Sequence, residues 1–197
     1  MNSIIREQIL SSISTKKSIL DNPELLNSIE KAAMLILAGY ESGNKTLLAG
    51  NGGSAADAQH IAGELVSRFY FDRPGIPAMA LNTDTSVLTS IGNDYGYEKI
   101  FARQVQAQGR EGDVFIGIST SGSSKNIVEA LLACKEKGIK TIGLTGMGKG
   151  KMLELCDICI EVPSLETPRI QESHILIGHI LCCIVEDKLF GHLKMQK

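Results

Sequence analysis

The chain has 197 residues, 43% hydrophobic and 21% charged, with a formal net charge of −2. That length suits one domain with a substantial core. The near-neutral balance excludes the strong basic surplus of a nucleic-acid binder, and the pairs Lys16/Lys17 and Lys149/Lys151 are too short to signal more than a solvated surface.

The first forty residues predict two helices. Ile4, Ile5, Ile9 and Ile13 recur at helical spacing in a segment from Ile4 to Leu20. Asp21-Asn22-Pro23 breaks it, and Asn22-Pro23 caps and starts a second helix to about Gly39, with an apolar stripe at Leu25, Leu26, Ile29, Ala33 and Ile36. Strands then alternate with helices. Thr46–Ala49, Ala78–Leu81, Val114–Ile118, Thr141–Leu144 and Ile158–Val162 read as strands. Ala55–Phe69, a segment after Asp84, and Asn126–Lys137 read as helices, the last ended by Gly138. A final helix starts near Pro168, with Thr167 as its cap. This alternation predicts an α/β three-layer sandwich, a five-stranded parallel sheet covered on both faces.

Five cysteines, Cys134, Cys156, Cys159, Cys182 and Cys183, are odd in number and irregularly spaced, unlike a disulfide framework. Cys156-x-x-Cys159 lacks a second pair, so apolar packing is expected there rather than zinc. The start, Met1 to Lys17, has no continuous apolar run of the secretory kind, and Ile175–Val185 is too short to span a bilayer. A reduced cytoplasmic setting without membrane or nucleic-acid partners is the expectation.

Two predicted strand-to-helix loops are suited to an anion. Gly50-Asn51-Gly52-Gly53-Ser54 lets backbone approach a ligand closely at a helix N-terminus. Ser119-Thr120-Ser121-Gly122-Ser123-Ser124 adds neutral hydroxyl donors at a second one, without the Gly-Lys-Ser/Thr ending of a nucleotide P-loop. Such donors fit a phosphate monoester. A dinucleotide is disfavoured, because strand two ends at Leu81-Asn82 with no acid in place to hold a ribose.

His60 and Glu64 share a helix face at i, i+4, a spacing that can hold zinc, with Asp57 one turn earlier to orient His60; in isolation the same spacing more often marks a solvated Asp/His/Glu stripe. On the last helix, Gln171 and His179 lie eight residues apart, about 12 Å of rise. For both to meet one metal, Gln171 must sit in a frayed first turn or the site must draw on two chains; we favour the latter. That helix is apolar almost all round, which also points to packing against another subunit.

These residues together resemble the sugar-isomerase domain superfamily and, within it, the phosphoheptose isomerases. The likeness rests on Gly50 to His60, Glu64-Leu65, Asn93-Asp94-Tyr95, Ser119 to Gly122, Gln171-Glu172-x-His174 and His179. It implies a flavodoxin-like or Rossmann-like sheet in one domain over 1–197, with helices in 1–40 packing an oligomer and an α/β core in 41–197. It implies a homotetramer with active sites near subunit interfaces, converting D-sedoheptulose 7-phosphate to D-glycero-D-manno-heptose 7-phosphate at the start of ADP-heptose synthesis. By position it implies substrate contacts at Asn51, Gly52, Gly53, Glu64, Asn93, Asp94, Ser119, Thr120, Ser121, Ser124 and Gln171. One zinc ion per subunit falls on His60, Glu64, Gln171 and His179, and the catalytic base and acid on Glu64 and His179. Tight ligation conflicts with free acid–base work by the same two groups, so ligation exchanges during turnover, or the metal is structural or inhibitory. The rival reading is a non-catalytic tetrameric scaffold resembling the replication-initiator-associating factor; the four ligand-type side chains favour the enzyme.

Overall fold

The computed structural model describes residues 2–148 and 150–196. Met1, Lys149 and Lys197 lie outside the described residues, and with Lys149 one member of the second basic pair. Two N-terminal helices, α1 (Asn2–Leu20) and α2 (Pro23–Glu41), precede the sheet. Asn22 starts α2 as its composition dictates, its side chain accepting from the N–H groups of Glu24 and Leu25. Then follow β1 (Thr46–Gly50), α3 (Gly53–Val66), β2 (Ala78–Ala80), α4 (Thr85–Tyr95), α5 (Ala102–Gln108) and β3 (Val114–Ser119). The chain continues through α6 (Lys125–Glu136), β4 (Lys140–Gly146), α7 (Met152–Leu155), β5 (Ile158–Val162) and α8 (Thr167–Phe190).

All strand pairs are parallel, in the order β2-β1-β3-β4-β5. This is the flavodoxin-type doubly wound order, whose direction reverses between β1 and β3; ligands of such sheets bind at that reversal, beyond the strand carboxyl ends. Register places Gly50 opposite Ile118, so the loops after β1 and β3 leave the sheet side by side. The strands bury both faces. Val114, Ile116 and Ile118 of β3 join Ile36 of α2, Ile61 of α3 and Ile177 of α8 in one core. Phe115, between them in sequence, joins Val105 of α5, Ile127 and Leu131 of α6 and Met152 of α7 in the other.

Five strands, the sheet class and the principal helices agree with the sequence reading. Several boundaries do not. Helix α3 begins at Gly53 and stops at Val66, because the chain beyond Ser67 turns away to meet α8. Glu166, not Thr167, occupies the cap position of α8, with Thr167 already helical. Short helix α5, the turn of α7 and 3₁₀ turns at Tyr97–Lys99 and Gly191–Gln196 were not anticipated. Such brief segments carry too few periods to declare themselves. All five cysteines are free; Cys134 and Cys182 are buried and Cys156 and Cys159 half-buried. A Cβ on Gly143 would sit 2.8 Å from Cys156 Sγ and 3.0 Å from Cys159 Sγ, so the pair packs on the sheet. Among the described residues no helix is long and apolar enough to cross a membrane.

Candidate active site

The two anticipated loops flank the reversal point of the sheet. Gly52, with φ 56°, sets the turn into α3, a conformation that glycine adopts without strain. Gly122, with φ 63°, plays the same part after β3. Among the described residues no side chain caps α3 or α6. By contrast Asn22 caps α2 and Asp84 caps α4. The helices that follow β1 and β3 therefore present N-termini to whatever the loops hold.

Within the second loop, Ser119 Oγ lies 2.8 Å from Ser124 Oγ and 3.4 Å from Ser121 Oγ. Ser119 is buried and Thr120 and Ser124 half-buried, while Ser121 is exposed. The loops are tied together by a reciprocal amide pair. Asn51 Nδ2 donates to Asn126 Oδ1 at 2.9 Å, and Asn126 Nδ2 donates to Asn51 Oδ1 at 2.8 Å. The Tyr97 hydroxyl also donates to Asn51 Oδ1 at 3.0 Å, and Asn82 Nδ2 donates to the Gly50 carbonyl at 2.6 Å. Asn82, Tyr97 and Asn126 escaped the sequence reading; asparagine in a loop or a first helical turn ordinarily means a cap or solvation, and only folding shows which amides face each other.

Asn93 and Asp94 sit exposed near the end of α4, Asn93 Nδ2 donating to Asp94 Oδ1 at 2.8 Å. Helix α4 has no buried residue. Its contact with the first loop comes just afterwards, through Tyr97.

His60, Glu64 and His179 converge within one chain. One ligand-type atom from each lies within 4.8 Å of the other two. His60 Nε2 is 3.1 Å from Glu64 Oε1 and 3.1 Å from His179 Nε2. Two nitrogens on a tetrahedral zinc at about 2.0–2.1 Å stand roughly 3.3 Å apart, so the trio fits such an ion. The approach of α3 to α8 depends on Gly178, where a Cβ would lie 2.5 Å from Ile61 Cδ1. These three residues thus meet without a second chain; the two-chain expectation concerned Gln171 together with His179. Gln171 lies in the second turn of an unbroken α8, which removes the frayed-turn option. Its amide packs on the first loop, where a Cβ at Gly53 would be 2.7 Å from Gln171 Nε2.

Asp57 does not bond His60 through Oδ2, which is buried without a partner. Desolvation pushes its carboxyl up to about 6, opposed by the attraction of His60. His174 is fully buried; burial pushes it down to about 4, against a raising influence of the Thr145 backbone, although neither ring nitrogen makes a hydrogen bond of ordinary geometry. His174 is thus neutral in the fold. Its depressed value means the unfolded chain takes up a proton first as pH falls. Stability from this group is full above pH about 6.5 and declines toward pH about 4, by up to about 3 kcal/mol. Asp57, shifted upward, gives the opposite slope over much of that window. A site-specific readout separates them: imidazole NMR shifts of His174 should titrate near pH 4, and a midpoint near 6.5 would contradict its burial as a neutral group.

A doubly wound sheet with two hydroxyl- and glycine-rich loops at its reversal point, and a histidine–carboxylate cluster beside them, defines a domain that binds and transforms phosphorylated sugars. The comparisons agree. A family described as SIS domain matches residues 14–146. A phosphoheptose isomerase of Aneurinibacillus thermoaerophilus is 66% identical over 190 residues, 96% of each chain. Phosphoheptose isomerase 2 of Campylobacter jejuni subsp. jejuni serotype O:2 is 66% identical over 191 residues, 97% of this chain and 95% of its own. The solved phosphoheptose isomerase of Neisseria gonorrhoeae superposes with a TM-score of 0.89 at 41% identity, over 94% of this chain and 98% of that one. The chain belongs to the SIS-domain family, among its phosphoheptose isomerases, and is a sugar-phosphate isomerase.

Proposed function

We propose that this enzyme interconverts D-sedoheptulose 7-phosphate and D-glycero-D-manno-heptose 7-phosphate, the first step toward ADP-heptose for surface polysaccharide. The observation that carries the reading is the meeting of His60, Glu64 and His179 on the two helices that border the β1 loop. His60 lies about two turns, roughly 10 Å, along α3 from Gly53, so a ligand anchored by phosphate at the loops reaches it only as an extended chain.

In the ketose-to-aldose direction, Glu64 takes the proton from C1 and returns it to C2, while His179 moves a proton from O1 to O2; the enediol lies between. Ser119, Thr120, Ser121 and Ser124, with the N-terminus of α6, hold the phosphate and make its binding energy available for orientation. Asn51, Gly52, Gly53, Asn93, Asp94 and Gln171 orient the polyol. His60, Glu64 and His179 would hold one zinc ion; Gln171, whose amide packs against Gly53 about 10 Å along α3 from His60, is a fourth candidate only from a neighbouring chain. Bound there, zinc supplies Lewis acidity toward the sugar carbonyl. Tight ligation would lower the basicity of Glu64 and His179, so ligation would exchange during turnover or the metal would be structural or inhibitory.

The assembly we propose is a cytoplasmic homotetramer built through residues 1–40, with sites near subunit contacts. Two features support it. Ile4, Ile5, Ile9, Leu10 and Ile13 of α1 are each more than half exposed. Helix α4, which carries Asn93 and Asp94, buries nothing within the chain.

Incubation with sedoheptulose 7-phosphate, followed by NMR with and without a chelator, should show aldose resonances that the chelator suppresses. Their absence under both conditions would leave the scaffold reading in place. Aldose appearing equally with chelator would remove the metal from turnover.

A further inference from the structure

We propose that the buried ion pair between Arg73 and Glu186 is a positioning device, which locks Glu64 and His179 against each other and so sets both zinc affinity and turnover. The inference rests on the site assigned above to those two residues. Both members of the pair are 1% exposed in their side chains, with Arg73 Nε 3.0 Å from Glu186 Oε1. Burying two charges costs several kcal/mol per ion in desolvation, and an apolar pair of the same volume is often at least as stable. Such a pair is weak evidence for stability alone, so its geometry has to show what it accomplishes.

Arg73 belongs to the irregular segment between α3 and β2. Its Nη2 donates to the Glu64 carbonyl at 2.8 Å. Its Nη1 donates to the carbonyls of Leu65 at 2.7 Å, Ser67 at 3.0 Å and Pro74 at 3.0 Å. Glu64 and Leu65 lie in the last turn of α3, where carbonyls lack partners within the helix. The guanidinium thus closes the end of the helix that carries Glu64, using a planar fork that lysine cannot reproduce.

Glu186 lies two turns beyond His179 on α8, close to the same helix face. Besides Arg73 it accepts the backbone N–H of Phe69 through Oε1 and of Tyr70 through Oε2, both at 2.7 Å. This holds the Phe69 ring 5.6 Å from the His179 ring, centroid to centroid. One network therefore reaches Glu64 through its own carbonyl, and reaches His179 through both its helix and its aromatic neighbour. Loosening it frees the two ligand-bearing helices to shift while leaving the Ser119–Ser124 loop, between β3 and α6, in place. Supporting groups of this kind around a metal site are worth about 10- to 100-fold in affinity or activity.

The test uses the full chain and two variants, Glu186→Gln and Arg73→Lys. Zinc affinity is read by competition with a chromophoric chelator, kcat and KM by the NMR isomerisation assay, and folding by thermal melting. In folded variants zinc affinity and kcat should each fall about 10- to 100-fold, with KM within about threefold of wild type. Arg73→Lys, which keeps the charge and loses the fork, should be as damaging as Glu186→Gln. Wild-type zinc affinity and kcat in a folded variant, or a change confined to KM, would overturn the proposal. If neither variant folds, hydrogen exchange in the wild-type protein decides. Coupling is reciprocal, so zinc must slow exchange of the Phe69 and Tyr70 amides at least fivefold, and unchanged rates overturn it. A wild-type chain that binds no zinc overturns it as well. Failure of the isomerase reading is distinguishable: that protein binds zinc, shows the exchange effect and turns over no sugar phosphate.

Discussion

Glu64→Gln should abolish turnover of the sugar phosphate while leaving it bound. Glutamine keeps the size of the side chain and an acceptor oxygen, and removes the group that takes the proton from carbon. A positioned general base contributes about 10²- to 10⁴-fold, so kcat should fall by at least that range's lower limit and approach its upper one. The phosphate-holding residues sit on the β3–α6 loop, a different element from α3 with Glu64, so calorimetric affinity for the sugar phosphate should stay within a few-fold of wild type. Zinc affinity measured in the same protein separates the two roles of Glu64. Wild-type kcat in this variant would remove the base assignment, and lost sugar-phosphate binding with intact chemistry would make Glu64 a binding group alone.

The complementary result is expected from Gly122→Ala. Gly122 has φ 63°, a left-handed conformation that costs an L-residue about 1–2 kcal/mol. An added Cβ would also lie 2.8 Å from Thr145 Oγ1 and 3.1 Å from Gly150 Cα. The Gly150 contact is backbone on a neighbouring turn, itself tied back by the Met152 N–H donating to the Gly122 carbonyl at 3.1 Å. The serine loop has to move. Displacement of about 1 Å in a positioning element can cost 10²-fold, so kcat/KM should drop about 100-fold, carried mainly by KM, with the His60–Glu64–His179 site still binding zinc. An unchanged KM would mean the Ser119–Ser124 loop is not where the phosphate sits. The two variants thus divide the site into a half that transfers protons and a half that holds the anion.

The loops after β1 and β3 were legible because glycine and serine at strand-to-helix junctions carry their own conformational logic, and the structure leaves the helices behind them uncapped by side chains. His60 and Glu64 were legible as a pair because i, i+4 places them on one face wherever the helix lies. Their junction with His179 was not. Spacing leaves open whether His179 meets them within one chain or across a subunit contact, and the chain brings His179 to His60 through a close helix crossing at Gly178. Arg73 and Glu186 were invisible as a pair, being 113 positions apart in the chain, each ordinary for a solvated surface until the fold buries both. The Asn51–Asn126 amide pair escaped for the same reason.

What the sequence by itself determined is local and periodic: five apolar strands, the longer helices between them, their parallel class, and the two turns whose residues select their own backbone geometry. These follow from side-chain spacing and from dihedral limits within a few residues. What only the tertiary structure decided is which distant groups share one small volume: the meeting of α3 with α8, the direction of Gln171 toward Gly53, and the burial of His174 and the Arg73–Glu186 pair. Those depend on helix crossing and packing among residues far apart in the chain, where contact is set by shape and not by spacing.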